Sequence, residues 1–179
     1  MDVNGSSDRS SATEALGERL GELAQPDQVI ALVGDLGAGK TTLVRGLGRG
    51  LELETAISSP TYTLMHTYPG RLELYHFDAW MEGREAAFLD GGGREWFEAS
   101  GVSVVEWAER VTEALPSDVL WLRLGHTTVP RFDADGHPDP EQARSVALKA
   151  YGDRSEALLG ALLQGLATVP IPGFQLEKQ

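Results

Sequence analysis

Val29-Ile-Ala-Leu-Val-Gly-Asp-Leu-Gly-Ala-Gly-Lys-Thr41 decides how this chain folds. Its first five residues are continuously apolar and bounded by turn signals, the pattern of a central parallel strand buried on both faces. Gly34-x-x-x-x-Gly39-Lys40-Thr41 follows and matches a phosphate-binding loop at every fixed position. A helix is expected from about Lys40 to Leu51, with Leu43, Val44, Leu47 and Leu51 as its buried stripe. Glycines let successive backbone N–H groups turn inward around an anion, and the helix start adds free N–H groups and a positive dipole end. Asp35, Leu36, Gly37, Ala38, Gly39, Lys40, Thr41 and Thr42 are the candidate contacts to the phosphates of ATP or GTP. Lys40 supplies a mobile positive charge, and the Thr41 hydroxyl is a magnesium ligand. Gly46, Gly48 and Gly50 weaken that helix by up to about 1 kcal/mol each relative to alanine, and the sequence offers no reason for them.

Working outward, residues 1–10 are rich in Ser, Asp, Asn and Gly and read as a disordered lead. Ser11-Ala-Thr-Glu14 has the form of a capping box, opening a helix with Leu16, Leu20 and Leu23 on one face. Tyr62–Tyr68 and Arg71–Phe77 flank Pro69-Gly70 and read as a hairpin. Short helices are expected over residues 80–100, broken at Gly91-Gly92-Gly93. Val102–Val105 is a second short apolar strand, with a helix from about Trp107 to Leu115. Val119–Leu124 and Ser145–Tyr151 read as strands, Asp153–Leu166 as a last helix, and residues 168–179 as a flexible tail. The domain thus spans residues 11–167. The fold class expected is α/β: a single P-loop NTPase-like domain with a mostly parallel central sheet, flanking helices and an antiparallel hairpin.

Three further segments carry chemistry. Glu106, at the end of the Val102–Val105 strand, stands where a magnesium-holding acid belongs; its plain alternative is a helix-start glutamate. Ser59-Pro60-Thr61 could be a switch in which Thr61 senses the terminal phosphate, or simply a turn. His76 and Asp78 share one face of a strand, so Asp78 could orient water or the metal's hydration shell; the alternative is a structural His–Asp hydrogen bond. His66, His126 and His137 lack metal-ligand spacing, and the Asp133/Asp135/Asp139 loop lacks the distal glutamate of an EF-hand.

The chain has 179 residues, 41% hydrophobic and 23% charged, with no cysteine and a formal net charge of −12. Without cysteine there is no disulfide or thiolate metal site. The acidity opposes direct binding to a phosphodiester backbone, so any role near RNA is expected to pass through a partner. No apolar run of membrane-spanning length or secretory signal is present, and a cytoplasmic protein is expected.

GDLGAGKTTLVRGL, ISSPTYTLMHTY, LYHFDAW and VVEWAE, in this order and spacing, resemble the TsaE-type P-loop ATPases that serve bacterial synthesis of N6-threonylcarbamoyladenosine in tRNA. The resemblance runs from about Ser10 to Leu166. It implies ATP and Mg2+ as cofactors and a weak ATPase activated by a two-subunit threonylcarbamoyl transferase of TsaB- and TsaD-type proteins. It implies catalytic roles for Lys40, Asp78 and Glu106, metal ligation by Thr41 and Glu106, and a switch at Ser59-Pro60-Thr61. Trp107 would help cover the nucleotide, and Thr13 would lie near the adenine. The family follows His-x-Asp with Tyr-Arg; here Ala79-Trp80-Met81 follows Asp78, and Arg84 is the candidate substitute. A nucleotide-gated binding module without turnover and a small-molecule kinase are the alternatives. The kinase expects an arginine-rich lid, whereas residues 80–100 offer only Arg84 and Arg94.

Overall fold

In the computed structural model, which describes residues 1–60, 63–81, 83, 95–127 and 142–177, the Val29 run is the axis of the molecule. Strand β2 (Gln28–Val33) is buried at every position and pairs in parallel with β5 (Val102–Glu106) on one side and β6 (Val119–His126) on the other. A strand with two parallel neighbours has neither face nor edge open to water, which is why its sequence shows no polar alternation. Beyond β5 lie β4 (Leu74–Asp78), parallel to it, and β3 (Met65–Tyr68), antiparallel to β4 as the expected hairpin. Beyond β6 lie β7 (Arg144–Tyr151), β1 (Asp2–Ser7) and β8 (Phe174–Leu176), all antiparallel. Among the described residues the sheet has eight strands, ordered β3-β4-β5-β2-β6-β7-β1-β8. The parallel sheet is its four-stranded centre, and antiparallel pairs extend it on both sides.

Two terminal expectations are corrected. Residues 1–10 are not a disordered lead, because Asp2–Ser7 forms β1, paired along its length with β7. Nor are residues 169–177 loose: Ile171 and Phe174 are buried, and β8 closes the other edge of β1. Both segments are polar or proline-bearing locally, and their order comes from backbone partners far away in sequence.

Helix α1 (Ser10–Leu23), α2 (Lys40–Gly50) and α3 (Asp153–Thr168) lie on one face of the sheet. Gly46 and Gly50 of α2 have their cause in α1, whereas Gly48 faces the Ile57 and Leu53 side chains. A Cβ at Gly46 would stand 1.8 Å from the Glu14 carbonyl oxygen, and one at Gly17 would stand 2.0 Å from that of Leu43. Gly21 and Gly50 repeat the contact one turn on. The two helices touch backbone to backbone, and only glycine permits that approach. The Ser11–Glu14 capping box does not form: Arg9 is the N-cap, without a side-chain cap bond, and Glu14 instead accepts from Arg49 of α2 at 2.5 Å.

The other face of the sheet is covered by short 3-10 turns carrying Phe97, Val111 and Ala114. The helix expected from Trp107 to Leu115 is two such turns, Ala108–Arg110 and Thr112–Ala114: Trp107 takes a left-handed backbone (φ 59°) before them, and Val111 (φ −124°, ψ 25°) leaves helical geometry between them. Of the short helices expected over residues 80–100, Glu95–Glu98 is a 3-10 turn, while residues 82 and 84–94, with the Gly91 triplet, and the Asp133–Asp139 loop with His137 lie outside the described residues. No helix among those described is long and apolar enough to cross a membrane.

Candidate functional site

The C-terminal ends of β2, β4 and β5 converge on one end of the sheet, where the loop Gly34–Gly39 leaves β2 and enters α2. Gly34 (φ 147°) and Gly39 (φ 105°) hold backbone that a side chain would strain, and a Cβ at Gly34 would meet the Leu124 carbonyl at 2.1 Å. The loop therefore takes its turn only with these glycines, and α2 opens at Lys40 with its N-terminus facing the cavity.

Lys40 is 5% exposed. Its Nζ donates to the carbonyls of Gly34 (2.6 Å) and Asp35 (3.0 Å) and sits 3.5 Å above the Trp107 ring. Burial pulls the amine below its ordinary value against the upward pull of Glu106, Glu109, Asp78 and Asp35. The first residue of α2 thus carries a poorly hydrated cation whose partners are weak dipoles and an aromatic face, an environment that favours anion capture.

Parallel register sets Asp78 beside Glu106. Both are buried. Glu106 accepts from the Thr41 hydroxyl at 3.0 and 3.1 Å on its two oxygens and lies 2.9 Å from His76 Nε2. Asp78 accepts from Ser59 Oγ (3.2 Å) and from the Trp80 amide (2.8 Å). The expected His76–Asp78 partnership is replaced: both project from one face of β4, and His76 bonds to Glu106 on the next strand.

A cavity of about 490 Å³ opens over this arrangement. Of the residues singled out in the sequence, Thr13, Leu36, Gly37, Gly39, Lys40, Thr41, Thr42, Ser59, Asp78, Glu106 and Trp107 line it. Thr13 is fixed by a 2.7 Å hydrogen bond to Ser7 of β1, so the N-terminal strand contributes to the site. Asp35 faces solvent and enters through its carbonyl, and Ala38 is packed into the core. Thr61 and Arg84 lie outside the described residues.

Sequence reading missed the arginines. Arg45 and Arg144 line the cavity on the Thr13 side. Arg110 donates to the Trp80 carbonyl, and its guanidinium lies 5.0 Å from the Trp80 ring and 5.8 Å from that of Trp107. Trp80 and Trp107 pack with centroids 4.3 Å apart. A cation from the segment that follows Glu106 thus stands beside Trp80. No local motif signals this, because the left-handed turn at Trp107 creates the contact.

A glycine loop between a buried parallel strand and a helix, with acids at the ends of the neighbouring strands, defines a P-loop NTPase-like fold. A family model described as Threonylcarbamoyl adenosine biosynthesis protein TsaE matches residues 7–131. The tRNA threonylcarbamoyladenosine biosynthesis protein TsaE of Treponema pallidum is 41% identical over 125 residues, 70% of this chain and 88% of that protein. Its Bacillus subtilis counterpart is 35% identical over 147 residues, 82% of this chain and 84% of the other. The crystal structure of B. subtilis YdiB superposes with a TM-score of 0.70 at 31% identity, covering 92% of this chain and 95% of that one. This chain belongs to the TsaE family.

Proposed function

We propose that this protein is a magnesium-dependent ATPase that serves tRNA threonylcarbamoyladenosine synthesis through a two-subunit transferase of TsaB- and TsaD-type proteins. The observation that carries the reading is the Thr41–Glu106 pair at 3.0 and 3.1 Å beside the buried Lys40 amine. A hydroxyl and a carboxylate are hard oxygen donors, the class magnesium takes, and this ion draws its remaining ligands from phosphates and water. Thr41 and Glu106 would hold the magnesium ion, which would supply neutralisation of the charge on the reacting phosphoryl group.

The protein's own groups divide the rest of the work. Lys40 and the N-terminus of α2 bind phosphate. Trp107, packed on Trp80, forms a wall that limits water. Asp78, held by Ser59 and the Trp80 amide, is oriented to direct a water molecule. Arg110, stacked against that wall, is the cation placed to assist when a partner covers the cavity. The family supports the pathway, and the loop chemistry supports the nucleotide.

The test is ATP hydrolysis by the purified protein, with and without the two transferase subunits from the same source. Slow turnover alone and clear stimulation by the pair are expected, with Glu106→Gln silent in both. Tight ATP binding without stimulation would replace the reading with a nucleotide-gated module, and no ATP binding would overturn it.

A further inference from the structure

His76 is completely buried, and the phosphate-loop motif and its two acids give it no role. Its Nε2 lies 2.9 Å from Glu106 Oε1. Its other nitrogen, Nδ1, is buried with no hydrogen-bond partner among the described residues. These two facts assign which nitrogen donates to Glu106. With the proton on Nδ1, a donor would be buried unsatisfied and the Nε2 lone pair would face the lone pairs of a carboxylate. The proton therefore sits on Nε2 and is donated to Glu106.

Backbone register explains how the two meet. His76 pairs with Val104 and Asp78 with Glu106, so the Glu106 side chain reaches back along its strand to His76. There it sits between the imidazole on β4 and the Thr41 hydroxyl on α2. Two donors from two elements hold one buried carboxylate.

We infer that His76 is a positioning residue for the divalent-cation site: by donating to Oε1 it keeps the Glu106 carboxylate turned to Thr41, ready to ligate. The inference rests on the magnesium reading of that pair. Removing the donor leaves a buried carboxylate held from one side only, free to adopt rotamers that do not meet the ion. Loss of such an outer partner typically weakens metal affinity by about ten- to a hundredfold.

The test compares three variants of the full chain by isothermal calorimetry, titrating ATP at a series of Mg2+ concentrations and again in EDTA. His76→Gln places an amide donor near the Nε2 position. His76→Asn places it near Nδ1, too short to reach Glu106, and His76→Leu removes it. For Leu and Asn, the Mg2+ midpoint should rise about ten- to a hundredfold, with ATP affinity in EDTA unchanged; Gln should stay close to wild type. A merely structural histidine would lower affinity equally with and without the ion, or leave Gln and Asn alike, and either result overturns the inference. If His76→Leu does not fold, the Gln–Asn comparison decides. A wild-type protein that binds ATP with no dependence on Mg2+ would instead sink the magnesium reading itself, and this inference with it.

Discussion

Replacing Gly46 by alanine should destabilise the protein although alanine is the better helix former. On an isolated helix the exchange gains about 1 kcal/mol. Here the new Cβ stands 1.8 Å from the Glu14 carbonyl oxygen and 2.9 Å from the Glu18 nitrogen, against 3.4 Å or more for ordinary contact. Those neighbours are backbone of a packed helix and cannot rotate aside, so α1 and α2 must separate. Overpacking of this kind costs about 1–3 kcal/mol or more, and the upper end applies where backbone is struck. The net loss is then about 2 kcal/mol, a fall in melting temperature of about 4–8 °C for a chain of this size. Gly160 of α3 is the control, since nothing lies within 4 Å of its would-be Cβ. Gly160→Ala should raise the melting temperature by about 2–4 °C. Thermal unfolding followed by circular dichroism reads both. If Gly46→Ala is as stable as wild type, or Gly160→Ala falls by as much, the backbone contact between α1 and α2 is refuted.

Phe174→Ala should cost about 3 kcal/mol in urea unfolding, because that ring is 7% exposed and anchors β8 on β1; a loose tail would show no change. Asp118 accepts from the amides of Arg154 (3.0 Å) and Ser155 (3.0 Å) and from the Ser155 hydroxyl (2.7 Å), and so caps α3. Asp118→Ala should cost about 1 kcal/mol at neutral pH. Partial burial pushes this carboxyl up, but those hydrogen bonds together hold it below its ordinary 3.8. The gain is therefore present above 3.8 and lost as pH falls through the lower folded value, where mutant and wild type should converge. For Lys40 the sign is opposite. Burial holds the folded amine below 10.5, so between the folded value and 10.5 the unfolded chain binds more protons. Wild type should gain stability relative to Lys40→Met as pH rises across that window, and parallel pH profiles would contradict the burial argument.

Local signals determined a good part of this protein. Five apolar residues, a glycine loop and a helix stripe are contiguous, so Val29–Leu51 declared strand, glycine loop and helix without help from the rest of the chain. The positions of Glu106 and Asp78 were legible from local pattern too, Glu106 at the end of an apolar strand and Asp78 two residues after His76 on one strand face. The hairpin at Pro69-Gly70 needed only its turn residues.

The tertiary structure alone decided what depends on partners distant in the chain. Polar Asp2–Ser7 becomes a strand because β7 offers it unpaired backbone, and through Ser7 it steadies Thr13 at the cavity. Gly46 and Gly50 of α2 are costly in a lone helix and required because α1 crosses it at backbone contact. His76 turns to Glu106 rather than Asp78 because parallel register brings β5 alongside, and Arg110 reaches Trp80 because one left-handed residue at Trp107 ends the strand in a turn. Spacing along a chain encodes which face a residue takes. It does not encode which neighbour the sheet will place against that face.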